Sequence, residues 1–115
     1  MSLDYRFCVA PMMKKTDRHF RYLSRQFSKK AVLYTEMIHA NAILKGNPEK
    51  LLQYKDIEHP VALQLGGCES SQLAEAAEIG ASYGYDEINL NVGCPSKKVR
   101  SGNFGVFLMK DIKLL

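Results

Sequence analysis

Four short apolar runs recur along the chain at intervals of about 25 to 30 residues: Phe7 to Ala10, Ala31 to Tyr34, Val61 to Leu65 and Ile88 to Val92. Each reads as a strand. Parallel neighbours need a crossover of a dozen or more residues, and the spacing supplies one every time, so the pattern predicts βα units and a parallel sheet. The fold class is α/β. A Rossmann fold would place a glycine-rich turn after the first strand. Ala10-Pro11-Met12-Met13-Lys14-Lys15 contains no glycine, which disfavours a dinucleotide-binding sheet.

The crossovers carry their own signals. Between the first two strands, residues 17 to 28 set Phe20, Leu23 and Phe27 on one helical stripe and Arg18, Arg21 and Arg25 opposite, with Thr16 or Asp17 as the cap. The arginine face is expected to be solvated. Between the last two, Ser70 or Ser71 can cap a helix whose apolar residues include Leu73, Ala77 and Ala81, and Gly84 provides a left-handed exit. The connection from 37 to 60 is less regular: Gly46-Asn47-Pro48 divides it, and His59-Pro60 turns the chain back toward extended geometry.

With 115 residues, 46% hydrophobic and 24% charged, the chain holds at most one domain and excludes disordered and fibrous classes. Residues 14 to 30 carry seven cations against Asp17 alone, net +6, whereas 36 to 96 carry three lysines against nine acids, net −6. A basic shoulder thus lies beside an acidic body, permitting a polyanionic partner. No apolar run approaches the roughly 20 residues of a membrane span, and the N-terminus lacks the build of a signal peptide, so the expected location is the cytoplasm with no membrane partner. Cys8, Cys68 and Cys94 are odd in number and far apart, fitting a reducing compartment. His19, His39 and His59 show no ligand spacing, and no metal is assigned.

Polar residues fall where strands should be apolar. Gln64 alternates with Val61, Leu63 and Leu65, and Asn89 and Asn91 alternate with Ile88, Leu90 and Val92. Amides on an inner sheet face must be matched by hydrogen bonds, so a polar feature is expected there. The strand ends, Ala10-Pro11-Met12, Thr35-Glu36-Met37, Gly66-Gly67 and Gly93-Cys94-Pro95, should share one rim, where α/β sheets and barrels bind ligands. Taken singly, each residue has a plainer reading. Gln64 and Asn91 can be satisfied core amides, Cys94 a small buried hydrophobe, Met12 and Met13 filler, and Glu36 a helix cap or the partner of a lysine.

The segment Asp86-Glu87-Ile88-Asn89-Leu90-Asn91-Val92-Gly93-Cys94-Pro95-Ser96 closely resembles the signature of the tRNA-dihydrouridine synthases. Val9-Ala10-Pro11-Met12, Thr16-Asp17-Arg18-His19, Leu33-Tyr34-Thr35-Glu36-Met37 and Glu58 to Gly67 match the same family in order and spacing, most like its A-type bacterial subfamily. The resemblance implies an FMN enzyme on a TIM (β/α)8 barrel, reduced by NADPH, that saturates C5=C6 of a D-loop uridine in tRNA. It implies that Pro11, Met12 and Met13 lie against the flavin ring, that Gln64 bonds its polar edge, that Asn91 orients the uracil, and that Cys94 is the general acid. A thiol protonated at neutral pH can give a proton to C5, and the base must leave its stack first. The related alternative is another FMN pyrimidine oxidoreductase, such as a dihydroorotate dehydrogenase.

Lys14-Lys15 stands where the family has Asp-Trp, and Gly105 precedes Val106 where a small residue is usual. A whole barrel needs about 250 residues, so residues 1–115 are expected to form the N-terminal half of the FMN-binding barrel domain. The second half-barrel, its phosphate loops and a helical tRNA-binding domain would then lie outside it. On that expectation the isolated chain lacks catalysis, holds FMN weakly and can self-associate through its sheet edges.

Overall fold

Every strand pair is parallel in the computed structural model, which describes residues 2–92. The order is β1 (Cys8–Val9), α1 (Arg18–Phe27), β2 (Val32–Tyr34), β3 (Ile38–His39), α2 (Ala40–Lys45), α3 (Pro48–Leu52), a 3-10 turn (Asp56–Glu58), β4 (Val61–Gly66), α4 (Ser70–Ser82) and β5 (Glu87–Leu90). β1 pairs with β2, β2 and β3 both pair with β4, and β4 pairs with β5. All four expected strands are therefore present as neighbours in chain order, the arrangement of successive staves in a parallel barrel wall.

The added strand, β3, continues β2 after an interruption. Tyr34 is opposite Ala62 and Ile38 opposite Leu65, so three residues on one side face two on the other. This is a bulge of one residue. Thr35 closes the gap: its N–H donates to the Ala62 carbonyl at 2.9 Å, and its hydroxyl accepts from the Gln64 N–H at 3.1 Å. The bulge leaves Thr35-Glu36-Met37 at the end of the strand that faces the β1–α1 turn.

Alternation separates two faces. Val61, Leu63 and Leu65 point outward and pack with Ala40, Ile43, Leu52, Ala76 and Tyr85. Val32, Tyr34 and Ala62 point inward with Leu3 against them. Gly46-Asn47-Pro48 divides the second connection and Gly84 takes a positive φ, +91°, after α4, as the sequence predicts; the division falls between two short helices, with Gly46 closing α2 and Asn47 capping α3 with Pro48 in its first turn. The start of α4 differs: Glu69 occupies the cap position without a side-chain bond, so neither Ser70 nor Ser71 caps it. Of its expected apolar residues, Leu73 and Ala77 pack against the core whereas Ala81 is exposed, and the buried positions are Ala76 and Gly80.

Gly80 is where α4 comes closest to the sheet. A Cβ there would fall 2.5 Å from Leu63 Cδ2 and 3.1 Å from Ile88 Cδ1. Gly80→Ala is expected to cost about 1–3 kcal/mol through overpacking, despite alanine's better helix propensity. Urea unfolding measures it, and a midpoint equal to or above the parent's would contradict the close packing.

The structure reverses the expected facing of α1. Asp17 caps the helix, accepting from the Phe20 N–H at 2.8 Å, but Arg21 and Arg25 are its buried residues. Phe20, Leu23 and Phe27 are 41%, 54% and 83% exposed. Glu58, in the turn before β4, accounts for the inversion. Arg21 Nε donates to Glu58 Oε1 at 2.5 Å, with both side chains almost completely buried. Arg25 Nη2 donates to the carbonyls of Glu58 and Pro60 at 2.9 and 3.1 Å, and Arg21 Nη1 to that of Thr16 at 2.8 Å. Guanidinium groups thus meet the Thr16 and Glu58 carbonyls and give the Pro60 carbonyl a second donor beside the Leu33 N–H. Burial lowers the pKa of Arg25, although an arginine starts so high that it remains charged.

Candidate active site

The inner face of β4 and β5 carries a row of carboxamides. Parallel pairing puts Gln64 beside Asn89, and the Gln64 Nε2 donates to Asn89 Oδ1 at 2.8 Å. One step toward the rim, Asn91 Nδ2 donates to Gln64 Oε1 at 3.0 Å. Gln64 is 8% exposed, so these bonds meet the requirement that a nearly buried amide be paired. The polar feature expected on this face is present.

The row has an anchor that the sequence reading does not single out. Glu87 shares the parity of Asn89 and Asn91, and its carboxylate accepts from Asn89 Nδ2 at 3.3 Å, from the Tyr34 hydroxyl at 3.1 Å and from the Tyr5 hydroxyl at 2.5 Å. The two-residue period that exposes Asn89 and Asn91 would have found it. Cys8, paired with Val32, lies on the same face and is exposed.

At the rim the β1–α1 turn is tied down from two sides. Met12 N–H donates to Thr16 Oγ1 at 3.0 Å, and the Lys15 and Thr16 N–H groups donate to the Met12 carbonyl at 3.0 Å. Among the described residues Glu36 neither caps a helix nor pairs with a lysine side chain. It accepts from the backbone N–H of Lys14, a residue held at φ +62°. Met12 and Met13 present their side chains to solvent, 56% and 44% exposed, and Pro11 is half-buried. A cleft of about 530 Å³ opens here, lined by Met13, Arg18, Thr35, Glu36, Met37 and Lys50 among others. Gln64 and Asn91 are thus brought together in one network, with Pro11 to Met13 at the strand-end turn. Cys94, Gly105 and Val106 lie outside the described residues. Among the described residues no His, Cys, Asp or Glu side chains converge as a metal site, and no helix is long and apolar enough to cross a membrane.

Burial, and then the bond to Glu87, raises the Tyr34 pKa; burial raises that of Tyr85. A phenol whose folded pKa is raised adds stability below its unfolded value of about 10, and that stability is lost as pH climbs above it. Stability is therefore expected to fall above about pH 10, by about 1.4 kcal/mol per pH unit for each of these two tyrosines. Melting curves and phenolate absorbance between pH 9 and 11.5 check this. Ordinary titration of every tyrosine with flat stability would contradict it.

A parallel α/β wall whose inner face carries amides, with a cleft at the strand ends, has the layout of a segment of an α/β barrel. The comparisons are more specific. The family model described as "Dihydrouridine synthase (Dus)" matches residues 8–115. The chain belongs to the dihydrouridine synthase family, whose fold is the TIM barrel. It is 62% identical over 107 residues to the tRNA-dihydrouridine(20/20a) synthase of Synechocystis sp., covering 93% of this chain and 32% of that protein. Its identity to the enzymes of the same name from Xanthomonas campestris and Salmonella typhi is 52% over 110 and 111 residues, 96% of this chain and 33% of each relative. The chain spans about one third of the length of these relatives.

Proposed function

We propose that the protein carrying this chain is an FMN-dependent tRNA-dihydrouridine synthase that draws reducing equivalents from NADPH and saturates C5=C6 of D-loop uridines. The names of the relatives suggest positions 20 and 20a. The observation that carries the reading is the paired row of Asn89, Gln64 and Asn91 on the inner face of the wall.

The donor set suits a flavin ring. After its bonds to Asn89 and Asn91, the Gln64 carboxamide has one further N–H and one further lone pair to offer. Such a donor and acceptor side by side complement the alternating N–H and carbonyl groups of a flavin's pyrimidine edge. Met12 and Met13 add polarisable, apolar surface at the end of β1, suited to a flat aromatic ring. Bound FMN would supply hydride to uracil C6. Asn91 would orient the extruded base, and the Cys94 thiol would give its proton to C5. Arg18, Lys14 and Lys15 put positive charge beside the cleft, where an RNA backbone would approach.

The test is reconstitution. The full-length protein, incubated with FMN, NADPH and tRNA lacking dihydrouridine, should add two mass units to D-loop uridines. Flavin-dependent oxidation of dihydroorotate without any change to tRNA would replace this reading with the pyrimidine dehydrogenase one.

A further inference from the structure

We infer that Glu36 is a positioning residue: its carboxylate selects the orientation of the Met13–Lys14 peptide and so holds the rim turn after β1 in a single form. That a flavin lies on this turn rests on the function given above; the selection by Glu36 does not.

The turn contains a conformational outlier. Among the described residues Lys14 is the only non-glycine with a positive φ, +62°. It stands third in a turn closed by the Lys15 N–H, which donates to the Met12 carbonyl at 3.0 Å. A positive φ at that place suits glycine or asparagine, and a residue with a longer side chain keeps it only where its surroundings impose it. A competing form is close. In a type I turn, closed by the same bond, the third residue has a φ of about −90°, which lysine adopts freely. Passing between the two with the closing bond kept turns the Met13–Lys14 peptide over by roughly half a revolution, so that its N–H and its carbonyl exchange directions. Glu36 distinguishes them. In the observed form its carboxylate accepts from the Lys14 N–H, a charge-assisted bond. In the other form the Met13 carbonyl would face the carboxylate, one acceptor against another.

The bonds from Thr16 fix the ends of the turn rather than its middle. Buried Thr16 accepts from the Met12 N–H at 3.0 Å through its hydroxyl, and its carbonyl accepts from Arg21 Nη1 at 2.8 Å. Glu36 is itself held by the bulge: the Thr35 hydroxyl donates to the Glu36 carbonyl at 2.8 Å and accepts from the Gln64 N–H at 3.1 Å. One hydroxyl thus joins the residue that sets the turn to the strand that carries Gln64. Glu36 and Met13 line the same cleft. The consequence for a ligand is one of populations. A flavin resting on the backbone of this turn meets one pattern of donor and acceptor in the observed form and the reverse in the other. Its apparent affinity is reduced by the fraction of molecules in the binding form, so a turn left about nine-tenths in the other form would bind it about tenfold more weakly.

The test uses the full-length protein purified without flavin. Glu36→Ala removes the acceptor, Glu36→Gln keeps one, and Glu36→Ala joined to Lys14→Gly lets residue 14 take a positive φ without help. FMN affinity, read from quenching of flavin fluorescence, is expected to fall roughly tenfold or more in Glu36→Ala and less in Glu36→Gln, and to be regained in large part when Lys14→Gly is added. A residue that only supported the fold would lower the melting temperature, and a glycine at position 14 would not restore binding. Crystal structures give the second readout: φ at Lys14 should be positive in wild type and negative in Glu36→Ala. If Glu36→Ala fails to fold, Lys14→Pro removes both the N–H and the positive φ while leaving Glu36 in place, and it should weaken FMN binding to the same degree. FMN affinity unchanged in Glu36→Ala or Lys14→Pro, a positive φ kept at Lys14 in Glu36→Ala, or a loss that Lys14→Gly leaves untouched would each overturn the inference. Wild type that binds FMN but reduces no tRNA would refute the proposed function and leave the role of Glu36 standing. Wild type that binds no FMN would refute that function too, and the φ at Lys14 in the two crystal structures would then decide the inference by itself.

Discussion

Glu58→Ala is expected to destabilise the fold by about 3–5 kcal/mol, because it leaves the buried Arg21 guanidinium without its counter-charge and strips an acceptor from the Lys55 N–H. Such a loss is a large fraction of the stability of a small domain. The cost belongs to the broken pair rather than to charge as such. Glu58→Gln retains an acceptor and should lose less, and the joint replacement Arg21→Leu with Glu58→Leu should recover much of the loss, since a matched apolar pair needs no desolvated charge. A double-mutant cycle by chemical denaturation measures the coupling. If the single and double variants proved equally unstable, the Arg21–Glu58 pair would not be what seats α1 on the sheet.

Cys94→Ala in the full-length protein should lower the reduction step by roughly 10² to 10⁴, or about 3–5 kcal/mol of barrier, with FMN binding and tRNA affinity little changed. The expectation follows from the division of labour proposed for the site: hydride delivery to C6 leaves charge at C5 and O4, and without a proton donor the reduction stalls. Single-turnover reoxidation of the reduced protein by tRNA isolates this step from the NADPH reaction. A wild-type rate would demote Cys94 to a packing residue.

The strands were legible because spacing carries topology. Runs separated by 25 to 30 residues with a helix between them leave room for the crossover that parallel pairing needs, and the pairing of Leu63 with Ile88 is parallel. The amide row was legible for a similar reason, since an alternation of two residues puts Gln64, Asn89 and Asn91 on one face whatever lies outside. Glu87 obeys the same alternation and was missed only because an acid at a strand start looks like solvated surface. The facing of α1 was not legible. Periodicity separates Phe20, Leu23 and Phe27 from Arg21 and Arg25, but it does not say which side meets the sheet. That choice depends on Glu58 and the carbonyl of Pro60, which lie more than thirty residues along the chain. The bulge at Thr35 was hidden likewise, because it exists only as a difference in count between two strands.

The most direct test of the central claim, that this chain is part of an enzyme acting on tRNA uridine, is mass spectrometry of tRNA from cells in which its gene has been deleted. The account predicts loss of dihydrouridine at the D-loop positions the enzyme serves, restored by the wild-type gene and not by Cys94→Ala. Dihydrouridine content unchanged by the deletion at every D-loop position would contradict it.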